Sequence, residues 1–118
     1  MLQQADAFLA ENLAREPCLV EPDILPRGGK GLLYGFAGIG KSILAIQLGL
    51  DVSNGLPWLG HFPTERGPVV YLQCELPKGK FRDRLRLMAP AYDDLTRLWV
   101  HTTMTMKIHP HDPEFREF

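Results

Sequence analysis

The sequence predicts an α/β fold, a parallel sheet with flanking helices, and two observations carry that expectation. Short apolar, β-branched stretches alternate with longer helical ones at the spacing of βαβ units. Between one such stretch and the helical run that follows lies Gly35-Phe36-Ala37-Gly38-Ile39-Gly40-Lys41-Ser42, a glycine-rich strand-to-helix turn. The 118 residues allow one domain, and 45% hydrophobic with 23% charged residues is the make-up of a globular chain rather than a disordered one.

Taken in order, residues 2–15 place Leu2, Ala5, Phe8, Leu9 and Leu13 at helical spacing, which predicts an amphipathic helix ending before Pro17. Pro17, Pro22, Pro26, Gly28, Gly29 and Gly31 then mark a loop or a short extended stretch. Leu32-Leu33-Tyr34 is the expected first strand, buried and parallel. From Lys41 the chain turns helical, with Ile43, Leu44, Ala45, Ile46, Leu48, Leu50 and Val52 and almost no charge, and Asn54-Gly55 reads as its stop. A helix apolar nearly all round is expected to lie buried between layers.

Residues 55–68 are rich in Gly and Pro and read as irregular surface. Val69-Val70-Tyr71-Leu72-Gln73-Cys74 is the clearest strand in the chain. Pro77 to Met88 predicts a helix with Phe81, Leu85 and Met88 turned inward, and Lys78, Arg82 and Arg86 on another face. Leu98-Trp99-Val100-His101-Thr102 is the expected third strand. Asp112-Pro113-Glu114 has the chemistry of a helix start, so the chain is expected to stop one turn into a helix, as a truncated domain would.

Charge and cysteine usage narrow the function classes. Thirteen Lys+Arg against fourteen Asp+Glu leave a net charge of −1, so no overall basic field draws nucleic acid or an anionic membrane. The apolar runs are all broken short of the ~18 residues of a membrane span. Met1-Leu2-Gln3-Gln4-Ala5-Asp6 has neither the basic nor the apolar region of a signal peptide. Cys18 and Cys74 lie far apart without CxxC spacing, the usage of reduced thiols in a cytoplasmic protein.

The run from Gly35 to Ser42 matches GxxxxGK[ST] in full. Gly35, Gly38 and Gly40 allow a tight turn that brings backbone N–H groups against phosphate oxygens, and Phe36, Ala37 and Ile39 complete the loop. The helix N-terminus adds partial positive charge. Lys41 supplies a mobile cation for the β- and γ-phosphates, and the Ser42 hydroxyl suits Mg²⁺. Glu75 directly follows an apolar strand, at the carboxyl edge where open parallel sheets bind ligands. A carboxylate there can orient a nucleophilic water, although an ordinary solvated Glu opening a loop has the same sequence.

The stretch from about Pro26 to Met88 resembles the RecA-like P-loop ATPases, and within them the RepA-type plasmid replicative helicases and related AAA-family ATPases. The matching text is Leu25-Pro26-Arg27-Gly28-Gly29, the phosphate loop continued by Ile43-Leu44-Ala45, Gly55-Leu56-Pro57-Trp58-Leu59-Gly60, and Gly67-Pro68-Val69-Val70-Tyr71-Leu72-Gln73-Cys74-Glu75. The resemblance divides the chain into an N-terminal helix and linker over 1–25 and the first part of a RecA-like domain over 26–118. It implies ATP and Mg²⁺ as ligands, Glu75 as the acid that polarises water, DNA as a substrate of movement and a ring of identical subunits. It also implies a Walker B strand ending in Asp. Asp83, Asp93, Asp94, Asp112, Glu114 and Glu117 follow no four-residue apolar run, so that motif is expected further downstream.

Other signals have plainer readings. Lys78, Lys80, Arg82, Arg84 and Arg86 spread around a helix and suit a solvated face. His101, His109 and His111 lack the partners or spacing of a metal site. Trp58 and Phe62 suit a loop packed over the sheet, and Cys74 a small apolar core position. The sequence thus predicts the ATP-binding part of an ATPase that hydrolyses ATP only with the downstream Walker B region present, so that residues 1–118 alone are expected to be inactive. This reading has two rivals: a nucleotide-binding module without turnover, and a small P-loop kinase, which would need an acceptor pocket and a basic lid.

Overall fold

The computed structural model describes residues 1–103. In chain order it holds α1 (Ala5–Leu9), β1 (Cys18–Val20), β2 (Leu25–Pro26), α2 (Lys41–Asn54), β3 (Val69–Gln73), α3 (Lys78–Met88), a 3₁₀ turn over Ala89–Ala91, and β4 (Leu98–Thr102). The helix start predicted at Asp112, and His109 and His111, lie outside the described residues.

The part from α2 onward is the α/β unit that the sequence pattern predicts. β3 and β4 pair in parallel without a slip, from Val69 opposite Leu98 to Gln73 opposite Thr102. A parallel pair needs a crossover, and α3 with its 3₁₀ extension provides it. Alternation along β3 turns Tyr71 toward α3, where its ring stands 5.2 Å from that of Phe81. Phe81 is buried, with Leu85 and Met88 beside it, so the inward stripe of α3 is the predicted one.

α2 completes the core. Ile46 and Leu50, one helical turn apart, are fully buried with Phe81 against Tyr71, Leu98 and Tyr92. Gly49 shares this side. A Cβ there would stand 3.3 Å from a Leu98 methyl and 3.6 Å from a Val69 methyl, so the missing side chain lets helix and sheet approach closely. The expectation that α2 is buried all round holds only for this side, because Ile43 is 50% exposed. At its C-terminus, the Asn54 amide donates to the Asp94 carbonyl at 2.9 Å and accepts from the Asp94 N–H at 3.1 Å. The Asp94 carboxylate in turn accepts from the Thr96 N–H and hydroxyl, and these bonds hold it below the usual carboxylate range. The end of α2 is thereby stitched to the loop entering β4.

Asp51 is a charge that the apolar pattern of α2 conceals. It is 4% exposed, and its Oδ1 accepts from the Tyr92 hydroxyl at 2.8 Å. Its Oδ2 has no hydrogen-bond partner among the described residues. Burial raises its carboxyl above the ordinary range and outweighs the lowering by Tyr92 and the Leu59 backbone. The folded state therefore holds this proton more tightly than the unfolded chain does. That contribution to stability is full below the unfolded carboxyl pKa and is lost as pH rises through the folded one. Asp51→Asn keeps an acceptor for Tyr92 and removes the titration. Urea melts of parent and variant should show the variant gaining, relative to the parent, as pH rises above the ordinary carboxylate range.

Two predicted elements do not form as expected. Leu32-Leu33-Tyr34 is no strand, and Leu32 and Tyr34 are more than four-fifths exposed. A parallel strand exists only through its neighbours, and among the described residues β3 and β4 pair with each other alone. The helix predicted over 2–15 is reduced to the five residues of α1, with no buried residue, while Leu9 and Leu13 stay exposed. So short a helix gains little from propensity, and its apolar face has no described surface to pack on.

Residues 17–26, read as loop or extended chain, make an antiparallel β1–β2 pair instead. It docks on the irregular 55–68 segment: Glu21 N–H donates to Pro63 O, Glu65 N–H donates to Leu19 O, and Arg27 forms a two-pronged ion pair with Glu65. The pair is exposed, so it contributes orientation more than stability. Trp58 and Phe62 pack against each other, and the Trp58 indole donates to the Leu44 carbonyl at 3.3 Å. The predicted packing of this loop is thus onto α2 rather than over the sheet. Among the described residues no helix is long and apolar enough to cross a membrane.

Candidate functional site

The carboxyl end of β3 and the N-terminus of α2 face one cavity of about 520 Å³. Lys41, Ser42 and Ala45 line it from the helix, Gln73, Cys74, Glu75 and Leu76 from the strand end, and Leu33 from the segment ahead of the loop. Tyr71 and Phe81 close its apolar side. The structure therefore brings together the three side chains that the sequence singles out for chemistry, Lys41, Ser42 and Glu75, from positions far apart in the chain.

The loop itself owes its shape to glycine. Gly38 and Gly40 have φ of 82° and 91°, a region that residues with a Cβ rarely adopt. Gly40 is the N-cap of α2, and as glycine it has no side chain to satisfy the first-turn N–H groups. Those groups have no acceptor within the helix, and no acidic side chain occupies the first turn. A phosphate suits such an end, because orphan donors and the positive pole of the helix dipole converge there. The Lys41 ammonium is folded back to donate to the Gly35 carbonyl, so cation and loop backbone lie together. Phe36, Ala37 and Ile39 are exposed, and they serve as loop rather than as core.

On the strand side Glu75 is exposed, and its charge acts on its surroundings: burial first, then the Glu75 carboxylate, raises the Tyr71 hydroxyl above its ordinary pKa. Cys74 is half-buried and lines the cavity, where the sequence suggests a core position. Cys18 is buried, and its burial, with the Asp23 carboxylate at 3.5 Å, pushes its thiol up. Lys78, Lys80, Arg82, Arg84 and Arg86 are all exposed, as a solvated helix face requires. His101 lies on β4. Among the described residues no group of three or more His, Cys, Asp or Glu is placed to hold a metal ion.

Sequence reasoning passes over one member of the site. Gln73 is 7% exposed, and its carboxamide is wholly engaged by the turn that carries Glu75. Its signal was available, since Gln73 is two residues beyond the inward-facing Tyr71 and period-two alternation sends it to the same side.

A family model described as an AAA domain matches residues 1–115, and the chain belongs to that family, an ATPase-type, nucleotide-binding module. No solved structure matches the chain.

Proposed function

We propose that this AAA-domain chain binds ATP in the cavity between α2 and β3 and that Glu75 orients and deprotonates the water that attacks the γ-phosphate. The observation that supports this is the shared cavity itself, which sets a lysine and a hydroxyl at an uncapped helix start opposite a strand-end carboxylate. The N–H groups of Gly35 to Gly40 and of the first turn of α2 hold phosphate oxygens, and Lys41 sets its charge on the β- and γ-phosphates. Ser42 is the residue suited to hold Mg²⁺, which supplies charge neutralisation at the phosphates when bound. Glu75 accepts a proton from water at its carboxylate.

The finer reading is that turnover drives movement on DNA during replication, in the cytoplasm, by a ring of such subunits. Its support is the resemblance of residues 26–88 to RepA-type helicases. One structural fact favours a second reading, binding without turnover by these residues alone. Of the described acids beyond Glu75, Asp83 is on α3 and Asp93 and Asp94 are in the loop before β4, with Asp94 engaged by Thr96 and Arg66. None of them ends a strand.

Calorimetric titration with ATP and with AMP, each with and without Mg²⁺, tests the site. Saturable ATP binding, at least ~10-fold tighter than AMP, is expected from a site that recognises the β- and γ-phosphates. Ser42→Ala should bind ATP and lose the Mg²⁺ dependence. Equal binding of ATP and AMP would remove the phosphate loop from the recognition.

A further inference from the structure

We infer that Gln73 is a positioning residue for Glu75: its buried carboxamide fixes the strand-end turn from which the Glu75 carboxylate reaches the cavity. This deepens the proposed function and rests on the catalytic reading of Glu75 given there. Three hydrogen bonds carry the inference. The Gln73 Oε1 accepts from the Glu75 N–H at 2.6 Å and from the Leu76 N–H at 2.5 Å. The Gln73 Nε2 donates to the Leu76 carbonyl at 2.7 Å. One side chain thus holds both backbone N–H groups of the turn and closes it with a third contact.

Gln73 is itself held. It is the last residue of β3, stands opposite Thr102 in the parallel register, and its carbonyl accepts from the Thr103 N–H at 2.9 Å. Burial to 7% exposure removes competing water, which strengthens each bond and makes an unmet partner expensive. The cavity is lined at the same place by Gln73, Glu75 and Leu76, so the turn is a wall of the site and its backbone sets where the carboxylate starts. Glu75 is exposed, and among the described residues no hydrogen bond or ion pair holds its carboxylate. Backbone placement is then the main restraint on its reach, and catalysis is sensitive to placement at the scale of ~1 Å.

The test uses Gln73→Leu, which keeps the bulk and removes all three bonds, and Gln73→Glu, which keeps acceptor oxygens for both N–H groups. Amide hydrogen exchange at Glu75 and Leu76, ATP affinity by calorimetry, and single-turnover hydrolysis are measured on the intact protein. For Gln73→Leu, exchange at the two amides should rise at least ~10-fold, as expected for lost hydrogen bonds in a local opening. ATP affinity should stay within ~2-fold, because the phosphate loop is untouched, while turnover falls at least ~10-fold. Gln73→Glu should retain protection and stay within ~5-fold of the parent in turnover. In a Glu75→Gln background the Gln73→Leu change should have no further effect on turnover, as expected of residues that act as a unit.

If Gln73→Leu frees the two amides and turnover is unchanged while Glu75→Gln abolishes it, Gln73 does not position the carboxylate and the inference is overturned with the catalytic reading intact. If Glu75→Gln turns over like the parent, the catalytic reading fails and takes this inference with it. Should Gln73→Leu fail to fold, Gln73→Glu decides: loss of turnover with both amides still protected overturns the inference.

Discussion

Replacing Lys41 with alanine is expected to weaken ATP binding about 100-fold, since hydrogen bonds to charged groups contribute about 1.5–3 kcal/mol and each 1.4 kcal/mol is tenfold in affinity. The effect should be confined to nucleotides with β- and γ-phosphates. Lys41 is the first residue of α2, partly buried, and its ammonium already lies against the loop backbone at the Gly35 carbonyl. Its stem is therefore directed along the loop, and the charge needs only a change of partner to meet a phosphate. Folding should be unaffected, because Lys41 forms no part of the Ile46–Leu50–Phe81 core. Calorimetry on parent and variant checks the prediction, with AMP as the control ligand. Equal ATP affinity in the two proteins would defeat the assignment of the loop.

Glu75→Gln is expected to leave ATP affinity within about 2-fold and to lower single-turnover hydrolysis by about 100-fold or more, the usual contribution of a general base. The amide keeps the size and exposure of the side chain but neither accepts a proton nor holds water with negative charge. The backbone N–H of residue 75 still bonds to Gln73, so the turn survives the change. The split between unchanged affinity and lost turnover is the diagnostic feature. Rapid quench on the intact protein with Mg²⁺-ATP measures it, and a wild-type rate would take Glu75 out of the mechanism.

The elements that were legible in the sequence are those whose partners lie close by. α2 runs from Lys41 to Asn54 with Gly55 as its cap, β3 and β4 fall where β-branched residues cluster, and α3 buries Phe81, Leu85 and Met88. In each, local propensity, capping and packing agree. Leu32-Leu33-Tyr34 and the helix at 2–15 carry equally good local patterns, but a pattern states only which face needs a partner. Neither segment has one among the described residues, so neither forms as expected. Within the site, the loop was legible because its glycines, lysine and serine are contiguous. The placement of Lys41, Ser42 and Glu75 around one cavity was suggested by the sheet-edge position of Glu75. Asp51 and Gln73 went unread for a shared reason: each is a polar residue at an apolar register, and only the three-dimensional partners, Tyr92 and the 75–76 turn, give it meaning.

The glycine at position 49 has a mechanical consequence. Lys41 stands eight residues up the same helix, about 12 Å along a rod rising about 1.5 Å per residue. Taking the close approach of Gly49 to Leu98 and Val69 as a pivot, the segment from there to Lys41 is a lever whose tip lines the cavity with Glu75. A tilt of about 5° at the pivot moves the tip by about 1 Å, enough to matter to a reacting geometry. The side chain missing at residue 49 therefore bears on where Lys41 stands in the cavity, because a carbon there would press on Leu98 and Val69 and shift the tip.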